Sequence, residues 1–237
     1  MKLKHMIYVF IIFYTAMVAV SIPSNVEAEN ICDEVDLFCV ERFCEIPLDI
    51  VKDAILSAYS FFEKLGYYGR YQINIEITPE VFVEWKDGNY IERHRVIGKY
   101  VEEENKIFIT CPNENWLTTN DDFLLKIIVD YYGTIISHEM IHFLANRFSN
   151  NKVHFILSEY IACCGQLEMI PENIIMELAF KNQIEAFEVY QICEITYIIS
   201  PHVFCLKSYL HYKNDEGYLI NKILNGSCRE PSFSNVP

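Results

Sequence analysis

His138-Glu139-Met140-Ile141-His142 is the stretch of this 237-residue chain whose residue types and spacing best suit chemistry. On a helix, His138 and His142 project from one face a turn apart and can hold one Zn²⁺. Glu139 sits beside that face, where a carboxylate can take a proton from a metal-bound water. Ile135-Ile136-Ser137 precede the motif and Phe143-Leu144 follow it, so Glu139 carries the only acidic or basic charge in the window. A solvated helix has a polar face; a helix buried under a metal centre has this pattern.

A second carboxylate lies downstream, in Leu157-Ser158-Glu159-Tyr160-Ile161-Ala162, another apolar helical run. Burying an unpaired carboxylate is costly, so Glu159 needs a cation, a donor or a metal. Service as a third Zn²⁺ ligand meets that need, because catalytic zinc keeps three protein ligands and one open position. Two other readings stay open for Glu159: a buried ion pair, with Arg147 as partner, or an exposed helix face.

His138-Glu139-x-x-His142 followed by Ser158-Glu159-x-x-Ala162 resembles the gluzincin branch of the zincin metallopeptidases. There the third ligand is the Glu of a short Asn/Ser-Glu-x-x-Ala-type segment on the next helix. The chain is also similar to small secreted bacterial proteins with a His-Glu-x-x-His helix, a Glu-Tyr-Ile-Ala segment and a later Ser-Tyr-x-His stretch. Here that stretch is Ser208-Tyr209-Leu210-His211. The likeness spans Val96 to Tyr212, with a shorter spacer before the Glu than in the best-known gluzincins. The resemblance implies a Zn²⁺ cofactor on His138, His142 and Glu159, with Glu139 as general base and a peptide or protein as substrate. It also makes Tyr209 and His211, with Tyr212 beside them, candidates to stabilise the developing oxyanion. Taken singly, each of these three also reads as a packing residue of an amphipathic helix. Two further classes remain open: a zincin-fold binding or structural protein, and a zinc amidase acting on a cell-wall or small-molecule substrate.

The elements that must position these residues follow from periodicity and punctuation. Pro47 to Leu65 predicts a first helix, with Pro47 suited to its first turn, Gly66 to its cap, and Ile50, Ala54, Leu56/Ser57, Phe61 and Leu65 near one face. Tyr71 to Ile77 alternates with Ile73, Ile75 and Ile77 on one side, a strand ended by Pro79. Val81 to Trp85, the turn Asp87-Gly88 and Tyr90 onward predict a hairpin. Val96 to Val101 and Lys106 to Thr110 form a second pair across the acidic loop Glu102-Glu103-Glu104. Lys106 to Thr110 is the candidate edge strand for a substrate peptide to join; an ordinary covered strand is the alternative.

Asn120 or Asp121 can cap the motif helix. Phe123, Leu124, Ile127, Ile128, Tyr131 and Ile135 lead into the histidines at three- and four-residue steps, and Gly133 marks either a bend or a boundary with a preceding helix. A polar loop at Asn146 to Asn151 should end it. Val153 to Met169 carries Glu159 and is stopped by Pro171; its Cys163, Cys164 and Gly165 are small enough for close approach to the motif helix. His154, near its start, reads as a loop or cap residue. Glu172 to Tyr190 and Pro201 to Lys213 read as the last two helices, with a polar tail from Asn214. The expected class is α+β, zincin-like: a small N-terminal β-sheet, then a mostly helical half carrying the motif helix and the glutamate helix.

Residues 1–28 read as a secretory signal: Lys2 and Lys4, an apolar run from Met6 to Val20, and small residues at Val26 and Ala28 for cleavage. An uncleaved anchor is the alternative, disfavoured because the run is shorter than the roughly twenty residues a bilayer needs. Residues 29–237 then form one domain, exported to the periplasm or beyond, with no membrane anchor after cleavage. All nine cysteines follow that site, so disulfides are expected, with at least one thiol left over. Cys32, Cys39 and Cys44 are placed to staple the N-terminus. Cys193 and Cys205 could close a loop around Ser200-Pro201, and Cys228 could tie down the tail. The formal charge is −14, and −15 once Lys2, Lys4 and Glu27 are removed. Such a surface repels phosphate backbones, so nucleic acid is a poor partner.

Overall fold

The computed structural model describes residues 29–32, 38–42, 47–87, 90–111, 122–149, 152–187, 192 and 194–228. The expected signal segment, the Gly88 turn, the helix cap at Asn120 or Asp121, Cys44 and Cys193 lie outside them. The chain is mixed α+β. A five-stranded sheet runs in the order β1-β2-β3-β7-β6, from β1 (Glu29–Cys32), β2 (Phe38–Arg42), β3 (Ile73–Thr78), β7 (Lys106–Thr110) and β6 (Gly98–Val101). The β2–β3 and β3–β7 pairs are parallel; β1–β2 and β6–β7 are antiparallel. A separate antiparallel hairpin joins β4 (Val81–Asp87) to β5 (Tyr90–Val96).

Seven helices are described: α1 (Leu48–Lys64), α2 (Asp122–Phe148), α3 (Phe155–Glu168), α4 (Glu172–Lys181), α5 (Glu194–Ile199), α6 (Pro201–Asp215) and α7 (Tyr218–Leu224). The alternation in β3 puts Ile73, Ile75 and Ile77 in the core beside Ile107 and Ile109 of β7. Val51, Ala54, Ile55, Ala58, Phe61 and Phe62 of α1 pack into that same core. The face of α1 is turned slightly from the one expected, leaving Leu56 exposed. Its end is as expected. Gly66 takes φ +88°, and the Tyr67 and Gly66 N–H groups donate to Phe62 O and Glu63 O, closing the helix.

Four expectations need correction. The strand order puts β7 between β3 and β6, so the edge strand is β6 and not Lys106 to Thr110. Gly133 does not divide α2 from a preceding helix, since α2 runs unbroken for 27 residues. The helix beginning at Glu172 ends at Lys181, because Gln183 adopts φ +54° and N–H groups of Gln183 and Ile184 turn back to Phe180 O and Ala179 O. The stretch from Asn214 is not a plain tail. Both Asp215 carboxylate oxygens accept main-chain N–H groups, from Gly217 and Leu219, and start α7, which buries Leu219, Ile220, Ile223 and Leu224.

The cysteines also pair differently. Cys205 of α6 is bonded to Cys163 of α3, not to Cys193, so the bridge ties the Glu159 helix to the Tyr209–His211 helix. Cys39 and Cys111 are also in disulfides, while Cys228 packs against the core. Among the described residues no helix is long and apolar enough to cross a membrane.

Candidate metal centre

The α2 and α3 helices lie against each other because α3 carries Gly165 at the crossing. A Cβ there would fall 2.4 Å from Ile141 Cδ1 and 2.9 Å from Phe61 Cδ1. This close approach brings three side chains to one point. His138 Nε2 and His142 Nε2 are 3.1 Å apart, His138 Nε2 is 3.5 Å from Glu159 Oε2, and His142 Nε2 is 3.4 Å from Glu159 Oε1. Two ligands about 2.1 Å from one tetrahedral ion lie about 3.4 Å from each other, so the triangle has the size of a zinc face. Among the described residues His138, His142 and Glu159 are the one group with this ligand geometry.

The surroundings fix which atoms face inward. His138 Nδ1 lies 3.0 Å from Gln166 Oε1, and His142 Nδ1 lies 2.7 Å from Ser158 Oγ. With each Nδ1 occupied by a partner on α3, both Nε2 atoms point at the centre. Glu159 is 7% exposed and its Oε2 is buried without a hydrogen-bond partner. Burial alone would raise the Glu159 carboxyl, but the charge of His142 and the two imidazoles facing its oxygens at 3.4–3.5 Å hold it well below the usual carboxylate range. Burial would likewise strip the proton from His138, yet the Glu159 carboxylate 3.5 Å away keeps it above its ordinary value. Arg147 is not its partner; Arg147 Nη2 donates to Asn105 Oδ1 at 2.6 Å.

Glu139 is hydrogen-bonded to the edge strand. Its Oε2 accepts the Tyr100 main-chain N–H at 2.8 Å. β6 comes this close because Gly98 has no side chain: a Cβ would sit 2.9 Å from Ile135 Cγ2 and 3.0 Å from Glu139 Oε1. Burial pushes the Glu139 carboxyl up, and the neighbouring histidines pull it only part of the way back.

Tyr209 and His211 occupy a different interface, between α3 and α6. His211 Nδ1 is 2.7 Å from the Tyr160 hydroxyl and 3.7 Å from Asp215 Oδ2. Tyr209 is buried beside Glu168, and burial drives its phenol well above the ordinary value. Tyr212 stacks edge-on with Phe61. Among the described residues, no hydrogen bond, ion pair or ring contact joins Tyr209 or His211 to His138, His142 or Glu159. His154 precedes α3 as its cap position and makes no side-chain cap bond.

Sequence reasoning did not single out Gln166, Gly98 or the Tyr100 N–H. Gln166 carried a signal: it is two helical turns past Glu159 and so on the same face. A main-chain N–H on a strand edge carries none.

A family described as "Family of unknown function (DUF6639)" matches residues 48–230, which include every residue of the centre. No curated protein matches the chain. No solved structure matches it.

Proposed function

We propose that the chain, which belongs to the DUF6639 family, is an exported zinc-dependent hydrolase of the gluzincin type acting on peptides. The observation that carries this reading is the triangle of His138, His142 and Glu159, with ligand atoms 3.1–3.5 Å apart and a buried, unpartnered Oε2. When bound there, Zn²⁺ would polarise a carbonyl and bring the pKa of its water to about 7. Glu139 then acts as general base. Its Oε2 is tethered by Tyr100, leaving Oε1 to take the water proton and deliver it to the leaving amine.

The substrate would lie along β6. Thr110 N–H donates to Ile97 O, so alternation turns the main-chain groups of Gly98 and Tyr100 to the outer edge. The Tyr100 N–H serves Glu139, and Gly98 offers its N–H and carbonyl to an added strand. His211 remains the better oxyanion candidate of the pair carried by the resemblance. Its Nδ1 lies 2.7 Å from the hydroxyl of Tyr160, the residue after Glu159. Export is supported by the Cys163–Cys205 bridge and the disulfides of Cys39 and Cys111, bonds that persist in oxidising compartments.

The test has two stages. Zinc stoichiometry should be one per wild-type chain and should fall steeply in His138→Ala and Glu159→Ala. Glu139→Gln should keep its zinc while hydrolysis of a peptide library drops at least about a hundredfold. Absence of zinc from the wild type refutes the metal centre. Equal activity of wild type and Glu139→Gln at matched zinc refutes the catalytic reading and leaves a zinc-binding protein.

A further inference from the structure

Glu159, Ser158 and Gln166 all stand on α3, so one helix supplies a ligand and both groups that meet the outer nitrogens of the histidines. The two outer contacts are not equivalent. Ser158 Oγ both donates and accepts, so it leaves the His142 tautomer open. Gln166 presents its carbonyl Oε1, which only accepts, to His138 Nδ1 at 3.0 Å. A neutral His138 held this way carries its proton on Nδ1 and presents a bare Nε2 to the centre.

We propose that Gln166 is a positioning residue for the metal centre, fixing the His138 tautomer and ring orientation that a divalent cation requires. The inference rests on the metal reading and deepens it by naming the residue that sets affinity. Outer-shell partners of metal-bound histidines are commonly carboxylates or carbonyls, and losing one costs about 10–100-fold in metal affinity. Gln166 is placed to do this because it follows Glu159 by two turns, while Gly165 beside it lets α3 lie against α2. The half-buried side chain reaches His138 across that contact.

The experiment is a zinc titration of the full chain, wild type against Gln166→Leu and Gln166→Glu, with melting curves of each zinc-free protein. Leu is of similar size but accepts no hydrogen bond; Glu keeps the acceptor and adds charge. Positioning predicts a zinc Kd about 10–100-fold weaker for Gln166→Leu, and equal or tighter for Gln166→Glu. A cobalt-loaded sample should show an altered visible spectrum in Gln166→Leu alone. An unchanged Kd in Gln166→Leu overturns the inference while the metal centre stands. Equal weakening in both variants, tracking a loss of melting temperature, also overturns it, since packing alone would do that. A wild type that binds no zinc refutes the metal centre and the inference together.

Discussion

The same substitution at two glycines should move stability in opposite directions, and only one should touch the metal centre. Gly165 of α3 faces Ile141 and Phe61, which are 0% and 1% exposed. An added methyl would meet them at 2.4 and 2.9 Å, against the roughly 3.5–4.0 Å at which carbon atoms attract. Neither neighbour can swing into solvent, so Gly165→Ala must open the α2–α3 contact by about 1 Å or force an off-rotamer side chain. Overpacking of this kind costs about 1–3 kcal/mol. The gain from replacing a mid-helix glycine, about 0.5–1 kcal/mol, offsets part of it. The net loss, up to about 2.5 kcal/mol, lowers the melting point by up to about 10 °C in a domain of this size. Ile141 stands between the motif histidines and moves with them. Metal–ligand distances tolerate only about 0.2 Å, so zinc affinity should fall at least about tenfold.

Gly133, on α2, is the control. A Cβ there would meet Ile50 Cγ2 at 3.6 Å and Met169 Cε at 3.9 Å, ordinary contact distances. Gly133→Ala should therefore stabilise by about 0.5–1 kcal/mol and leave zinc binding unchanged. Differential scanning calorimetry of both variants, zinc-free and zinc-saturated, measures the signs, and a zinc titration measures the affinities. If Gly165→Ala melts at or above the wild type and binds zinc equally well, the close approach of α2 and α3 does not organise the centre and the reasoning is wrong.

Two further outcomes follow from the centre and its surroundings. His138 is held above its ordinary 6.5, so its charged form adds stability below that pH and the contribution is lost as pH rises through the raised value. Glu159 is held below 4.5, so its contribution is present above that pH and lost only as pH falls further. Zinc-free protein should thus lose melting temperature between pH 6 and pH 8.5, and saturating zinc, which binds deprotonated His138, should reverse the order; a zinc-induced shift larger at pH 6 than at pH 8.5 would contradict it. The Cys163–Cys205 bridge closes a segment with a sequence separation of 42. Replacing both cysteines by serine should cost about 2–4 kcal/mol in denaturant titrations, and a loss below about 0.5 kcal/mol would show that α3 and α6 hold without it.

What was legible in the sequence was local. Gly66 announced the end of α1 because a left-handed cap favours glycine. Gln183 did the same work for α4 without a residue type that advertises it. The seven-residue α7 depends on Asp215 as a cap and on packing of Leu219 and Ile223 against the core, neither of which a polar-looking tail discloses. The exchange of edge strand from β7 to β6 and the pairing of Cys163 with Cys205 are long-range choices with no nearby sequence signal. In the centre, the two histidines followed from helical spacing and Glu159 from the cost of its burial. Tyr100 was invisible because it acts through its main chain.

The triangle itself argues for a cation over a proton. With Glu159 ionised, the carboxylate only accepts. If both Nε2 atoms carry protons, they face each other as N–H against N–H at 3.1 Å. If one is bare, it meets the carboxylate lone pair to lone pair at 3.4–3.5 Å. If both are bare, all three edges repel. No protonation state satisfies every edge while Glu159 stays charged. A divalent ion inside the triangle accepts all three lone pairs at once. A chain selected only for stability gains little from such a cluster over apolar side chains, whereas His138, His142 and Glu159, with Gln166 and Ser158 on the outer nitrogens of the rings, could hold a metal ion.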